Sequence, residues 1–387
     1  MQSDSQINRP TITTNEVVRP TLVEVDLSRL ADNYRAIQEK VAPALMMPVL
    51  KANAYGHGLV DVGHLMESLG ADYIGVAVLE EGILLREQGI QTPILVLGGI
   101  FGNQVPFFLK YDLTITASSI EKLWQIEEIS EQLDLKAKVH LKIDTGMERI
   151  GVHYYNAEEL LEASVTCKHL DVEGIFSHFA NSDAADLRHA RLQIERFEEV
   201  LSFYEKHDLQ PPRMRHMANS GAILQLPEAN YDIVRPGLVL YGVYPSPESS
   251  RTIDVSPALS WKSRVVYFKV IKPGHPVGYG STWETDHFVR AVTIPVGYGD
   301  GYFRAMSHKA QVVIRGKRYP VVGRISMDQI VVNIEWDSAY NDDEVLLIGE
   351  MDDESVTAED LAEWAGTIPY EILTNINTRV PRVYVRS

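Results

Sequence analysis

Short apolar runs alternate with amphipathic stretches over roughly residues 21–242. The first run, "TLVEVDL", precedes "SRLADNYRAIQEKVA", in which Leu30, Tyr34, Ile37 and Val41 recur at the spacing of one helix face. Ser28 stands at the position of an N-cap for this helix. About eight such strand-then-helix units with short links are typical of parallel βαβ connections. The pattern therefore predicts alternating strands and helices through this part of the chain.

The length of this run favours a closed (β/α)₈ barrel, which typically takes ~250 residues. A doubly wound parallel sheet is the competing fold. The phosphate-binding fingerprint G-x-G-x-x-G is absent after the first strand, and the sequence contains no P-loop. We therefore expect an α/β chain with an N-terminal (β/α)₈ TIM barrel.

The pattern changes near residue 245, where "YPSPESSRTIDVSPA" has the composition of a linker. The β-branched runs that follow, such as "AQVVIRG" and "QIVVNIEW", are broken by turn residues and predict a mostly β domain. A short helix, "TAEDLAEWAG", interrupts them with Thr357 as its N-cap. We expect a loose polar tail over residues 1–20, a barrel over 21–256 and a C-terminal β domain over 257–387.

Composition narrows the class of partner. The formal charge of −17 argues against nucleic acid and anionic membrane surfaces, because their phosphates would be repelled. Cys167 is the only cysteine, so the chain has neither an internal disulfide nor a cysteine metal cluster. No apolar run approaches the ~20 residues of a membrane-spanning helix, and the opening residues lack a hydrophobic signal core. We expect a cytoplasmic, enzyme-sized protein that binds no metal.

Polar residues cluster where the predicted barrel strands end. Active sites of (β/α)₈ barrels lie at the C-terminal ends of the strands, so these side chains should converge on one mouth. The residues at such positions are Lys51, Lys142, Asp144, Ser177, His178, His216, Asn219, Ser220 and Arg235.

The segment "VLKANAYGHG" follows a buried run with a lysine and a polar, glycine-containing loop. A partly desolvated Lys51 has a lowered pKa and can act as a base or a Schiff-base nucleophile. The alternative is a lysine that merely extends to solvent from a strand end. The loop glycines allow the backbone to approach a ligand, and Tyr55 offers a hydroxyl to a phosphate.

Two further turns resemble phosphate-binding sites. Ser220 in "ANSGA" offers a hydroxyl at a helix start, and Gly237 in "RPGLVLYG" offers a backbone N–H. An ordinary N-cap serine and turn glycine are the alternatives. Arg235 could meet an aromatic nitrogen or an anion. Arg149 in "TGMERIG" could bind a carboxylate with two hydrogen bonds, or could form a surface salt bridge.

From about residue 20 onward the chain resembles the alanine racemase family. The resemblance rests on eight segments in the family's order: "VLKANAYGHG", "LKIDTGMERIG", "SHFANSD", "HMANSGA", "VRPGLVLYG", "VGYGDGY", "GRISMDQ" and "IPYEILTNINTRVPR". It implies a fold-type III enzyme that uses pyridoxal 5′-phosphate, with a barrel and a C-terminal β domain. It also implies a small amino-acid substrate and a head-to-tail homodimer whose active site is shared across the interface.

The resemblance also implies roles for individual residues. Lys51 would hold the cofactor covalently and act as one base, and Tyr298 of the partner subunit would be the opposing base. Arg235, supported by His216, would face the pyridine nitrogen. The cofactor phosphate would be held by Tyr55, Ser220, Gly237, Leu238 and Tyr370.

Further roles concern the substrate. Arg149 would contact the cofactor's phenolic oxygen and the substrate carboxylate, with Met327 of the partner subunit helping there. His178 would pack at the cofactor ring and orient Tyr298. Lys142 matches a position that carries a carbamate in many members and orients Arg149. The implied reaction is interconversion of L-alanine and D-alanine, which supplies peptidoglycan synthesis.

The chain departs from the family pattern at two positions. Ser326 stands where many members have cysteine, so thiol-dependent behaviour does not carry over. Glu148 occupies a variable family position next to Arg149, so its effect on the binding of the substrate carboxylate does not follow from the family pattern.

Three alternative functions remain. A fold-type III decarboxylase would use a partner-subunit cysteine and a glutamate at the pyridine nitrogen, whereas Cys167 falls in a predicted barrel helix and Arg235 takes the other position. A non-catalytic pyridoxal-phosphate carrier would lack the β domain. A racemase with a broader substrate range, including serine, would keep the same chemistry.

Overall fold

The computed structural model describes residues 19–386, which form two compact units. The larger unit comprises residues 25–259, 367–375 and 384–386, and the smaller comprises 19–24, 260–366 and 376–383. The domain bounds drawn from the sequence, at 20/21 and 256/257, stay a proposal. Most of the expected tail, residues 1–18, lies outside the described residues.

The larger unit is a closed barrel of parallel strands. Its strands are Leu45–Met46, Ile74–Val76, Ile94–Val96, Ile115–Ala117, Ala137–Asp144, Leu170–Phe176, Met214–His216 and Ile233–Val234. Paired ladders join some neighbours, and single parallel bridges or backbone hydrogen bonds join the rest. Ile233 pairs with Leu45, so the last strand meets the first and closes the ring. The predicted (β/α)₈ barrel is confirmed.

Helices connect the barrel strands, and one helix precedes the first of these strands. They are Leu27–Val41, Lys51–Tyr55, Leu59–Ser68, Leu79–Glu87, Val105–Lys110, Ile120–Gln132, Ala157–Thr166, Arg188–Lys206 and Ser220–Gln225, with Pro369–Thr374 added from the end of the chain. The predicted apolar face of Leu27–Val41 is buried. Its N-cap is Asp26 rather than Ser28, because the helix begins two residues earlier than expected. The Asp26 carboxylate accepts hydrogen bonds from the backbone N–H groups of Ser28 and Arg29.

The first predicted strand does not belong to the barrel. Leu22–Asp26 lies in the large sheet, between Leu259–Arg264 and Arg382–Val385. Its Val23 and Val25 are fully buried, whereas Leu22, Glu24 and Asp26 are partly exposed. Such alternation is typical of an antiparallel sheet with one buried face, whereas parallel barrel strands are buried on both faces. The expectation that this strand opens the barrel was wrong.

The smaller unit is built on a mostly antiparallel sheet, and the ten strands of this sheet include the three just named. The others are Tyr267–Ile271, Val289–Ile294, Gln311–Ile314, Lys317–Val322, Ile330–Glu335, Glu344–Met351 and Glu354–Val356. The predicted helix is confirmed as Ala358–Ala365, and its N-cap Thr357 accepts a hydrogen bond from the Asp360 N–H. Among residues 19–386, no helix is both long and apolar enough to cross a membrane.

Candidate active site

The strand ends of the barrel surround one cavity of about 180 Å³. It contains ten of the twelve site residues predicted from the sequence, all except Tyr298 and Met327. Its lining residues are Val49, Lys51, Tyr55, Leu97, Lys142, Arg149, Ile150, Phe176, His178, Asn219, Ser220, Arg235, Gly237, Leu238 and Tyr370. The ends of several barrel strands therefore contribute side chains to one cavity, although three of the expected residues, Asp144, Ser177 and His216, do not line it.

A left-handed turn follows Lys51, where the sequence suggested a flexible loop. Residues 52–55 all have φ between 52° and 57°. This conformation costs roughly 1–2 kcal/mol per non-glycine residue, so other interactions must hold it. The Ala52 N–H donates to the Glu81 carboxylate at 2.6 Å, and the Leu59 N–H donates to Asn53 Oδ1 at 2.9 Å. The turn brings the side chains of Lys51 and Tyr55 to the same cavity.

The cavity is cationic. Four of its lining residues, Lys51, Lys142, Arg149 and Arg235, are basic, and none is Asp or Glu. Burial, and after it the positive charge of Arg149, lowers the pKa of Lys51. Its amine is therefore available in the neutral, nucleophilic form at a lower pH than that of a surface lysine. The field of the cavity suits a ligand with several negative charges.

One side of the cavity presents hydroxyl and backbone donors. Ser220 Oγ accepts the N–H groups of Gly237 at 3.0 Å and Val239 at 3.3 Å. A Cβ atom at Gly237 would come within 2.7 Å of the Tyr55 hydroxyl, so a larger residue would displace that group. The Tyr55 and Tyr370 rings lie 6.0 Å apart, and burial raises the pKa of both phenols. Both hydroxyls therefore stay protonated and can donate to an anion.

Arg235 is buried and held from three directions. Its Nη2 donates to the carbonyl oxygens of Ser177 at 2.8 Å and Met217 at 2.9 Å. Its Nη1 donates to His216 Nδ1 at 2.6 Å. His178 Nδ1 lies 3.3 Å from Nη2, and burial together with the charge of Arg235 holds the pKa of His178 well below its usual value. His178 is therefore neutral.

Among residues 19–386, neither Lys142 nor Arg149 has a carboxylate at ion-pair distance from its side chain. Lys142 Nζ lies 4.6 Å from the centroid of the Phe176 ring, and burial, followed by Arg235, lowers its pKa well below its usual value. Within the described part of the chain, no carboxylate lies at ion-pair distance from the Arg149 side chain. Glu148 instead pairs with His153 at 2.8 Å. Arg149 therefore does not form the surface salt bridge that was its alternative interpretation.

Tyr298 and Met327 belong to the smaller unit. Tyr298 begins a short turn, Tyr298–Asp300, and its side chain is 42% exposed. Its N–H donates to the Ser326 carbonyl, and the Gly299 N–H donates to the Met327 carbonyl at 2.9 Å. The two residues expected to act on a partner subunit are therefore neighbours on one exposed surface.

The sequence interpretation overlooked a second tyrosine of this unit. Tyr279 lies in a Gly-Tyr-Gly tripeptide, as Tyr298 does, and its side chain is 70% exposed. Both flanking glycines have φ near +70°, and a Cβ atom at Gly280 would come within 2.6 Å of the Arg324 guanidinium. Arg324 precedes Met327 in "GRISMDQ". The repeated Gly-Tyr-Gly was the signal that could have indicated this residue.

Cys167 was expected to lie within a barrel helix. It instead directly follows the helix Ala157–Thr166. Its thiol donates to the Ala163 carbonyl at 3.3 Å, and burial raises its pKa to about 11. It does not line the cavity. The raised pKa keeps the thiol protonated, so nothing at Cys167 favours the cysteine chemistry of the decarboxylase alternative.

A (β/α)₈ barrel with a desolvated lysine beside hydroxyl and backbone N–H donors at its mouth, followed by a mostly β unit, is typical of enzymes with anionic small-molecule ligands. Comparison with known protein families supports this assignment to an enzyme class. The alanine racemase N-terminal domain matches residues 25–245, and the alanine racemase C-terminal domain matches residues 258–384. The chain belongs to the alanine racemase family, whose members are isomerases, and the resemblance seen in the sequence is confirmed.

Individual relatives match over nearly their full length. The alanine racemase of Carboxydothermus hydrogenoformans is 44% identical over 370 residues, which are 95% of this chain and 100% of that protein. The structure of the Clostridium difficile 630 alanine racemase has a TM-score of 0.90 and 36% identity, covering 96% of this chain and 97% of the other. A histidine racemase from Leuconostoc mesenteroides subsp. sake has a TM-score of 0.88 and 30% identity, covering 96% and 100%.

Proposed function

We propose that this protein is a pyridoxal 5′-phosphate-dependent racemase that interconverts L-alanine and D-alanine by a two-base mechanism. The observation that carries the proposal is the carboxylate-free, cationic cavity around the desolvated Lys51, in a chain of the alanine racemase family. When bound, the cofactor condenses with an amine and withdraws electrons from it, which makes the α-proton of an amino acid acidic enough to remove.

The residues of the cavity fit this cofactor. Lys51 Nζ would supply the amine that holds it, and Arg235, which has only donors, would face the ring nitrogen. Placement of the phosphate against Ser220 and Gly237 is supported by the close approach there that a Cβ atom would block. The full set of groups that would hold the phosphate is Tyr55, Ser220, Gly237, Leu238 and Tyr370.

Lys51 Nζ removes or returns the α-proton on one face of the substrate. Inversion requires a second group on the opposite face, which we assign to a tyrosine hydroxyl of the partner subunit. Arg149 binds the substrate carboxylate through its guanidinium, with Met327 of the partner subunit beside it. His178 remains neutral and would pack against the cofactor ring.

Lys142 is the candidate for carbamylation. Its lowered pKa supports this assignment, because only a neutral amine adds carbon dioxide. The carbamate would place a negative charge near Arg149 and Arg235, both of which act on Lys142 electrostatically. That charge would orient the Arg149 guanidinium.

The identity of the second base has two candidates. Tyr298 follows from the sequence resemblance and adjoins Met327. Tyr279 is the more exposed, and a side chain that enters the cavity of another subunit must protrude from its own. Substitution of each tyrosine by phenylalanine distinguishes the two candidates.

We further propose that the enzyme is a cytoplasmic head-to-tail homodimer that supplies D-alanine for peptidoglycan. Family membership and the exposed tyrosines of the smaller unit support this assignment. The similarity to a histidine racemase supports testing larger amino acids as well as serine.

The experiment follows optically pure L-alanine with the purified enzyme and cofactor in D₂O, measuring optical rotation and α-deuterium together. A racemase brings the rotation to zero as deuterium enters the α-position. Deuterium uptake with retained configuration would mean that only one base works. With L-alanine inert, the same assay on L-serine and L-histidine distinguishes a different substrate from a non-catalytic carrier.

A further inference from the structure

A line of buried polar side chains extends from Arg235 into the interior of the barrel. His216 Nδ1 lies 2.6 Å from Arg235 Nη1, and His216 Nε2 lies 2.8 Å from His140 Nδ1. His140 Nε2 in turn faces the Glu173 carboxylate at 3.8 Å. All four residues are at most 3% exposed. His140 and Glu173 do not line the cavity, and the proposed reaction assigns them no role.

The chemistry of Arg235 sets the direction of the hydrogen bonds in this line. A guanidinium can only donate, so His216 Nδ1 must be the acceptor. Burial, and after it Arg235, holds the pKa of His216 well below its usual value, so the ring is neutral and carries its proton on Nε2. His216 therefore donates to His140 Nδ1. His140, whose pKa is also lowered by burial, therefore carries its proton on Nε2, and this N–H faces Glu173 at 3.8 Å, an electrostatic contact beyond hydrogen-bond distance.

Glu173 fixes the other end. Burial alone would raise its pKa, but the facing His140 and the hydroxyl of Tyr73 bring that pKa down to about 2. Its carboxylate also accepts a hydrogen bond from Arg213. It is therefore ionised and can only accept. A donor-only group at one end and an acceptor-only group at the other leave the two histidines one tautomer each.

Glu173 also compensates the buried positive charge of Arg235. Among residues 19–386, no carboxylate lies at ion-pair distance from Arg235, and an unpaired buried cation is costly. The line connects this cation to an ionised carboxylate through two polarisable rings. Loss of the carboxylate removes both the compensation and the fixed tautomers.

We propose that Glu173 is a positioning residue of the cofactor site, which acts through His140 and His216 to hold the Arg235 guanidinium against the cofactor's ring nitrogen. The proposal rests on the proposed function, because that nitrogen belongs to pyridoxal 5′-phosphate. It adds two residues of the barrel interior to the groups that set the cofactor's environment.

The substitution Glu173→Gln tests this role. Arg213 retains the remaining amide oxygen, so the amide N–H group faces His140 Nε2 and opposes an N–H there. His140 would then carry its proton on Nδ1, and His216 would be forced to direct an N–H at Arg235. His140→Phe is the second variant, because it breaks the line and leaves Glu173 in place. Asp232→Asn is the matched control, since Asp232 pairs with Arg215 at 2.7 Å outside the line.

The readout is the affinity of the apoenzyme for pyridoxal 5′-phosphate relative to its 1-deaza analogue, in which a C–H group replaces the ring nitrogen. The wild-type protein should prefer the natural cofactor by about 10-fold or more, since the contact is a hydrogen bond to a charged donor. In Glu173→Gln and His140→Phe this preference should fall to within about threefold of unity, whereas Asp232→Asn should retain it. A merely structural role would weaken both ligands equally.

Thermal unfolding identifies variants that fold, and His140→Phe carries the test if Glu173→Gln does not. An unchanged preference in a folded line variant would overturn the positioning role. A wild-type protein that binds both ligands equally would instead overturn the contact of Arg235 with the ring nitrogen, and this proposal with it. A wild-type protein that binds neither would contradict the proposed cofactor.

Discussion

The cavity of the larger unit and the tyrosine-bearing surface of the smaller unit differ in how far each is organised within one chain. Arg235 is nearly inaccessible and is held by several hydrogen bonds. Tyr279, Tyr298 and Met327 are each at least 42% exposed. The cofactor side of the chemistry is thus prearranged, whereas the residues proposed for the opposite face have open surroundings in the monomer.

The cavity and the exposed surface also differ in the proton-transfer groups that each can supply. Inside the cavity, Lys51 has a pKa lowered by burial and Arg149, which suits a base. The pKa values of Tyr55 and Tyr370 are raised by burial, which suits hydrogen-bond donors and not bases. The cavity therefore offers one base of the two that inversion requires, and the exposed surface of another copy can supply the second.

The largest expected effect is from Lys51→Ala. It removes both the amine that holds the cofactor and one base, so racemisation should fall by at least about 10³-fold. The lysine-bound cofactor absorbance should also disappear. Lys138→Ala is the control, because Lys138 pairs with Asp112 away from the cavity. Near-normal turnover by Lys51→Ala would contradict its assignment.

The tyrosine substitutions Tyr279→Phe and Tyr298→Phe decide which residue is the second base. One of them should lower racemisation by about 10²–10⁴-fold while the cofactor stays bound, because only a proton-transfer group is lost. The other should change the rate only a few-fold. Loss of cofactor in the inactive variant would instead indicate a structural residue, and full activity in both would remove the second base from this surface.

Gly237→Ala should weaken cofactor binding by about tenfold or more, because the new Cβ would come within 2.7 Å of the Tyr55 hydroxyl and displace a phosphate ligand. Ser220→Ala is the milder comparison, since it removes one hydroxyl without adding an atom. Equilibrium titration of the apoenzyme with pyridoxal 5′-phosphate measures both. Unchanged affinity in Gly237→Ala would place the phosphate elsewhere.

The smallest expected effect is on how the chemical reactivity of the Lys51 amine in the apoenzyme depends on pH. Since its pKa is lowered, it should react with an amine-directed reagent at a lower pH than Lys138 does. Arg149→Met removes the second-largest cause of the shift, so the pKa should rise and labelling of Lys51 near pH 8 should slow by roughly two- to threefold. Mass spectrometry of labelled peptides over a pH series measures both rates. Equal pH profiles for the two lysines would contradict the desolvation of Lys51.

Barrel topology explains why most of the site could be predicted from the sequence. Lys51, Ser220 and Arg235 follow buried runs, and the strand ends of a closed barrel converge whatever the details of packing. The left-handed turn over residues 52–55 could not be predicted, because its stability depends on Glu81, which is distant in the sequence. The sheet to which Leu22–Asp26 belongs could likewise not be predicted, because it depends on pairing with Leu259–Arg264 and Arg382–Val385, which are distant in the sequence.

Other residues were overlooked for local reasons. His140 and Lys142 are two residues apart in one strand and therefore share a face, yet a buried histidine is usually only a satisfied polar group. Its partners, Glu173 and His216, are contributed by other strands. Tyr279 was missed because glycine-flanked tyrosines are common in turns, and its exposure becomes evident only in the folded chain.

The most direct test of a shared active site mixes Lys51→Ala with whichever tyrosine variant is inactive, allows the subunits to exchange and measures L-alanine racemisation. Half of the dimers should be hybrids with one intact site of two, so activity should recover to roughly a quarter of the wild-type value. Activity no greater than that of either parent, in a mixture with confirmed hybrid dimers, would contradict the supply of the second base by the partner subunit.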